Sequence, residues 1–176
     1  MGEQLTLFPV DTEKFKVQSK EGYVPFVSEV ETFNNTFGKP NNYEPTLPGE
    51  KEWRFVYDFI QEELEEYREA CDIVEILDAL CDITYVSLGN GTMLHGLKDK
   101  IWPAYQEVQA SNMSKACKTE EEAMETVRKR TEEYGEACYF EKLEEGRYIV
   151  YRERDKKVVK SINYFRPNLK KFFNND

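Results

Sequence analysis

The spacing of apolar positions divides the chain into a run of helices followed by a β-rich tail. Val27, Val30, Phe33 and Phe37 recur at three- and four-residue steps and predict a first helix over 27–37, stopped by Gly38. Lys39 to Gly49 carries three prolines and reads as a loop. From Glu52 to Cys71, the residues Val56, Phe59, Ile60, Leu64, Tyr67 and Cys71 mark one face of a long helix. Ile73 to Leu88 forms a second, so apolar that burial is expected over most of its circumference. Asp72 is placed to cap or interrupt between the two. Gly89-Asn90-Gly91 is placed to end or kink the second helix, with His95-Gly96 as its outer stop. Pro103 suits a first helical turn and predicts a third long helix through about Ser114. Thr119, with Glu122 three residues on, predicts a capped and highly charged helix to Tyr134. Residues 137–143, 147–152 and 157–161, rich in Tyr, Val and Ile, then predict a small antiparallel meander. Residues 1–26 show no sustained period and fit a short strand or a docked arm.

The expected fold class is therefore mainly α, a helical bundle with a small C-terminal β meander. A length of 176 residues suits one domain over 1–176, with a helical core at 27–116 and an extra helix, meander and tail at 117–176. Charge narrows the function classes. Against 24 Lys and Arg stand 34 Asp and Glu, a net −10 that disfavours binding to a nucleic-acid polymer. No apolar run reaches the length of a membrane span, and the start lacks a basic region followed by an apolar one, so a soluble cytoplasmic protein is expected. Cys71, Cys81, Cys117 and Cys138 are too far apart for a CxxC zinc or redox motif. The single histidine, His95, leaves little room for Ser-His or Cys-His hydrolysis and reads best as a helix-end residue contacting carbonyls.

The acidic residues change the picture most. At about 100° per residue, Glu63 falls inside the apolar arc of the 52–71 helix, Glu66 lies at its rim and Glu62 just beyond, whereas Glu65 and Glu69 point away. In the following helix Glu75, Asp78 and Asp82 are three and four residues apart and form one acidic line on an apolar cylinder. Pairing with Arg54, Arg68 or Lys115 would make these groups ordinary. Without it, burying each unpaired carboxylate costs several kcal/mol, against about 5–15 kcal/mol for a whole domain. A divalent cation is the simplest neutralising agent, and an all-oxygen donor set favours Mg²⁺ or Mn²⁺ over Zn²⁺. Such ions commonly complete their coordination with phosphate oxygens, which points to a phosphate ester or anhydride as substrate.

Three motifs stand in order: EExxE at Glu62, Glu63 and Glu66; DALCDITYVSLG from Asp78 to Gly89; and EVQASNMSKA from Glu107 to Ala116. Together they resemble the all-α NTP pyrophosphohydrolases, a superfamily that includes the MazG-like enzymes and phosphoribosyl-ATP pyrophosphohydrolase. The likeness runs from the 27–37 helix and the FGKP that follows it through Lys115, and resumes at residues 157–160 and Asn163-Tyr164, reaching Pro167 and Leu169. It implies a helical bundle that assembles as a homodimer or larger homo-oligomer, with a nucleotide as substrate and Mg²⁺ as cofactor. It also implies attack of water on the α–β phosphoanhydride of a (deoxy)nucleoside triphosphate, giving the monophosphate and pyrophosphate. By position it implies Glu63 and Glu66 as metal ligands on one helix, and Asp78 and Asp82 as ligands on the next. Glu75 enters as a ligand in an alternative ExxD register. Glu62 is implied as the residue that orients or deprotonates water, and Asn112 and Lys115 as nucleotide and phosphate contacts. Lys160 is either a further phosphate contact or a residue on a solvated strand. The link from Cys117 to Arg154 is longer than the resemblance leads one to expect. The alternatives are phosphoribosyl-ATP hydrolysis, or a non-catalytic nucleotide-binding module on the same fold.

Overall fold

A computed structural model describes residues 25–144 and 146–173; the arm or strand expected over residues 1–26 lies almost wholly outside them. The architecture is mainly α with a two-stranded antiparallel sheet near the C-terminus. No helix among the described residues is long and apolar enough to cross a membrane. The chain divides into two compact units at Trp102–Pro103.

In the first unit, α1 spans Pro25–Thr36, two residues ahead of the expected start, and Gly38 follows it with a φ of 65°. Helix α2 (Glu50–Glu69) and helix α3 (Ile73–Thr84) pack against each other across the short turn between them. Asp72 caps rather than interrupts: its Oδ1 accepts from the backbone N–H groups of Val74 at 2.8 Å and Glu75 at 2.9 Å. The helix does not end at Gly89-Asn90-Gly91. It continues from Tyr85 to Gly91 as a π-helical segment and closes in the short α4, Thr92–Leu94. π segments are rare and concentrate at functional sites. Gly96, with a φ of 63°, is the outer stop; a Cβ there would lie 2.0 Å from the carbonyl oxygen of Glu44.

Val27 and Val30 of α1 pack on Met93, flanked by Tyr85 and Ile101. The approach is close enough that a Cβ on Gly89 would lie 2.2 Å from Cγ2 of the fully buried Val30. Gly89→Ala is therefore expected to destabilise the protein by about 1–3 kcal/mol in a urea melt. The loop between α1 and α2 is strapped down by backbone donors, from Asn42 to the Met93 carbonyl and from Thr46 to the His95 carbonyl, both at 3.0 Å. Nδ1 of His95 lies 3.1 Å from the Thr46 carbonyl, the helix-end role expected for it.

One expectation fails here. Helix α3 is not buried over most of its circumference: Ile73 is 76 % exposed, Val74 69 % and Leu77 62 %, and only Ala79 is buried. The α-hairpin covers one side of this helix and leaves the other apolar side open.

Helix α5 spans Lys98–Met113, so Pro103 falls inside it rather than in its first turn. The proline ring removes one main-chain donor from the ladder. In the second unit, Thr119 caps α6 (Glu120–Tyr134) by accepting from Glu122 N–H at 3.2 Å. The return half of the capping box is displaced by one residue, since the Glu122 carboxylate accepts from Lys118 N–H at 2.9 Å. Strand β1 (Cys138–Lys142) pairs with β2 (Tyr148–Arg152) in a register that sets Phe140 opposite Val150. The third strand expected at 157–161 is reduced to a single bridge between Val158 and Tyr151. Cys117, Ala123, Tyr148, Val150 and Val159 form the core of this unit, with Val127, Cys138 and Phe140 packed around it. All four cysteines are free thiols.

Candidate active site

Helix α2 carries Glu62, Glu63 and Glu66, and helix α3 carries Asp78 and Asp82. The packing of the hairpin sets the other four near enough for their charges to act on Glu63. The Glu63 carboxyl is pushed above the ordinary range, first by burial and then by the negative charges of Asp82, Glu66, Glu62 and Asp78. Its Oε2 is buried and accepts no hydrogen bond among the described residues. This is the anomaly that the helical wheel locates at position 63, found on the half-buried face of α2.

The cations that could make the cluster ordinary are engaged elsewhere. Arg54 pairs with Glu50 at 2.8 Å, and Arg68 pairs with Glu65 and Glu69. Glu65 is consequently half-buried against Arg68 rather than pointing freely into solvent. Nζ of Lys115 donates to Oδ1 of Asn112 at 2.9 Å. Among the described residues no Lys or Arg pairs with Glu62, Glu63, Glu66, Asp78 or Asp82. Glu75 stands apart from the five. Its Oε2 accepts from the backbone N–H of Cys71 at 2.6 Å, so the carboxylate serves to close the turn between α2 and α3.

No three His, Cys, Asp or Glu side chains among the described residues stand in a ready-made metal-holding arrangement. The donor chemistry nevertheless suits a hard divalent cation. The oxygens are all carboxylate, the charge is in excess, and one buried oxygen lacks a partner.

A cavity of about 850 Å³ opens beside Glu63 and Asp82, both of which line it. Glu52, Asp58 and the apolar Pro40, Val56, Val86 and Leu94 also line it, beside three further kinds of group. Phe33 of α1, Phe55 and Phe59 of α2, and Tyr85 of the π segment supply aromatic surface. Lys39, Lys51 and Arg54 supply positive charge, and Asn34 and Asn90 supply amides. Tyr85 meets the ring of Phe33 edge-on, with centroids 6.0 Å apart. Asn34 is buried, and its Nδ2 donates to Oδ1 of Asn41 at 2.8 Å, which fixes the amide at the wall. Aromatic faces, cations and acids thus line one cavity.

Sequence reasoning missed most of this wall. Asn34, Lys39 and Lys51 are isolated polar residues on α1, the loop after it and the start of α2, and only tertiary packing brings them to one cavity. Asn90 stood in a glycine-flanked triplet that reads as punctuation, whereas here it lies within the π segment. Asn112, Lys115 and Lys160 belong to the second unit. The first two contact each other at the end of α5, and Lys160 is exposed, with Nζ 4.5 Å from the centre of the Tyr164 ring.

The family model described as phosphoribosyl-ATP pyrophosphohydrolase matches residues 30–112. The matched stretch contains all six acidic positions and Asn112, and it ends before Lys115 and Lys160. No curated protein matches the chain.

Proposed function

We propose that this chain, which belongs through residues 30–112 to the all-α NTP pyrophosphohydrolase superfamily, cleaves the α–β phosphoanhydride of a (deoxy)nucleoside triphosphate, releasing the monophosphate and pyrophosphate. The observation that carries the reading is the unpaired carboxylate cluster around Glu63 on the wall of an aromatic and cationic cavity. Glu63, Glu66, Asp78 and Asp82 would hold Mg²⁺ or Mn²⁺. When bound, the ion polarises phosphoryl oxygens as a Lewis acid and offsets the repulsion among the acids.

The remaining work falls to the chain itself. Glu62 orients a water molecule and takes its proton as the water oxygen bonds to the α-phosphorus. The bond from that phosphorus to the bridging oxygen breaks, and the electron pair leaves with pyrophosphate. Lys39, Lys51 and Arg54 attract the phosphate chain to the cavity. Phe33, Phe59 and Tyr85 offer faces on which a base can stack, and the amides of Asn34 and Asn90 offer hydrogen bonds to its edge. Asn112 and Lys115 are proposed as further nucleotide and phosphate contacts, and Lys160 as another. Glu75, committed to Cys71 N–H, is assigned to the turn.

A homodimer or larger homo-oligomer belongs to the same proposal, because the open side of α3 is too apolar to face water economically. The test of function is a panel of NTPs, dNTPs and phosphoribosyl-ATP, with Mg²⁺ and with EDTA. Metal-dependent release of monophosphate and pyrophosphate is expected. Orthophosphate with a diphosphate would overturn α–β cleavage, and turnover confined to phosphoribosyl-ATP would select the substrate in the family description.

A further inference from the structure

Two pairs of side chains, each one turn apart on α2, stand beside one another on the cavity wall. Phe55 and Phe59 form the first, with ring centroids 4.5 Å apart and the rings edge to face. Arg54 and Asp58 form the second, about 100° around the helix from the aromatic pair. Arg54 stands four residues before Asp58, the spacing of a helical ion pair, yet its guanidinium turns the other way to Glu50 at 2.8 Å. Asp58 is left without an ion-pair partner among the described residues, its exposed carboxylate on the cavity wall.

The place of Asp58 along α2 limits what it can touch. It lies five residues before Glu63 and eight before Glu66, about 7.5 and 12 Å of helix. That sets it beyond the proposed cation site but within the length of one nucleotide. A carboxylate repels phosphate, so a nucleotide whose phosphates meet Glu63 and Asp82 turns its base, not its phosphate chain, toward Asp58. Glu52 is the other acid on this part of the wall, and it has a local role. It belongs to the first turn of α2, and its Oε2 folds back to within 2.7 Å of the place a Cβ on Gly49 would occupy. There it faces the positive end of the helix dipole.

We propose that Asp58 is the specificity-determining residue of the cavity and that the substrate it selects is a guanine nucleotide. The inference rests on the nucleotide reading of the same site. An ionised carboxylate only accepts, and it accepts best from two parallel donors. Guanine alone among the common bases carries two adjacent donors on one edge, the N1–H and the N2 amino group. Adenine and cytosine set one amino group beside a ring-nitrogen lone pair, and uracil and thymine set one N–H between two carbonyl oxygens. Each of these four turns an acceptor toward the second carboxylate oxygen. Phe55 and Phe59 offer the base plane a surface to stack on, and the amides of Asn34 and Asn90 supply donors for O6.

Calorimetric titration of the full chain with GMP, AMP, CMP and UMP in Mg²⁺ reads the preference without requiring turnover. GMP is expected to bind about tenfold more tightly than the other three, as for a charge-assisted hydrogen-bond pair. In Asp58→Asn the amide sets one donor and one acceptor where two acceptors stood. The variant is expected to lose the guanine preference. It is also expected to bind xanthosine monophosphate, which has a carbonyl in place of the N2 amino group, more tightly than the parent does. A gain for one base is a result that damage to the wall does not produce. Equal binding of the four monophosphates by the parent overturns the proposal, as does a guanine preference that survives in Asp58→Asn. An equal loss for all four bases in the variant overturns it and places the carboxylate on the sugar, and no measurable binding of any of the four overturns it as well. Turnover separates the two readings. A chain that hydrolyses all four triphosphates without a guanine preference loses the inference and keeps the hydrolase. A chain that binds GMP through Asp58 yet turns over no triphosphate keeps the selection and loses the hydrolase.

Discussion

Glu63→Gln and Asp82→Asn are each expected to lower kcat/KM by at least about 10³-fold, roughly 4 kcal/mol of transition-state stabilisation, while the fold survives. Both substitutions keep side-chain volume while removing the charge and replacing one acceptor oxygen by an amide donor. The two residues lie on different helices and both face the cavity, so each deletes one side of the proposed cation site. The accompanying stability change separates this account from simple damage. In the metal-free protein Glu63 interacts unfavourably with four acids, and like-charge pairs of this kind cost a few tenths of a kcal/mol each. Glu63→Gln should therefore unfold at a higher temperature than the parent in EDTA, by roughly 2–4 °C for a gain of about 1 kcal/mol. Added Mg²⁺ should stabilise the parent and leave the variant unmoved, because a ligand stabilises only the state that binds it. Full activity in both variants, or a parent indifferent to Mg²⁺ in a thermal melt, sinks the metal assignment.

The acidic site was legible because two rules conflict there. Helical periodicity places Glu63, Asp78 and Asp82 on apolar faces, and desolvation makes that placement costly. A conflict of this kind can be read from spacing alone. The structure adds that Arg54, Arg68 and Lys115 are occupied by Glu50, Glu65 and Asn112, which spacing could not decide. Glu75 illustrates the opposite case. It shares the acidic line by helical angle, yet its position three residues after the Asp72 cap lets it reach the Cys71 N–H, and a wheel has no term for the turn before a helix. The cavity wall was illegible for a similar reason. Asn34, Lys39 and Asn90 come from α1, the loop after it and the π segment, and line one cavity through tertiary packing that follows no period. The third strand of the meander is cut short because only its first half bonds to β2, through the Lys157 carbonyl and the Val159 N–H around the Tyr151–Val158 bridge. Lys160 and Ser161 are tied instead to Arg130 and to the end of α5. Periodicity also cannot say what covers an apolar face, only that something should.

That limit leads to the second large effect. Ile73, Val74 and Leu77 lie on α3 more than half exposed, and Phe55 and Tyr57 of α2 are likewise open. Fully burying side chains of this size yields about 1.5–3 kcal/mol each, so α3 alone leaves several kcal/mol unrealised in the single chain. Covering the face with a second copy recovers that free energy without any new sequence. Sedimentation velocity at micromolar concentration should therefore find the parent as a dimer or larger species. Leu77→Glu combined with Val74→Lys should shift it to monomer, since each introduces a charge that an apolar interface would have to desolvate. Residues 74 and 77 share the helix with Asp78 and Asp82, so the monomer should also lose turnover if subunit packing holds α3 in register with α2. A cooperative thermal melt followed by circular dichroism should persist in the same variant, which separates loss of assembly from global unfolding. A parent that sediments as a monomer across the concentration range would overturn the assignment of this face to a second copy.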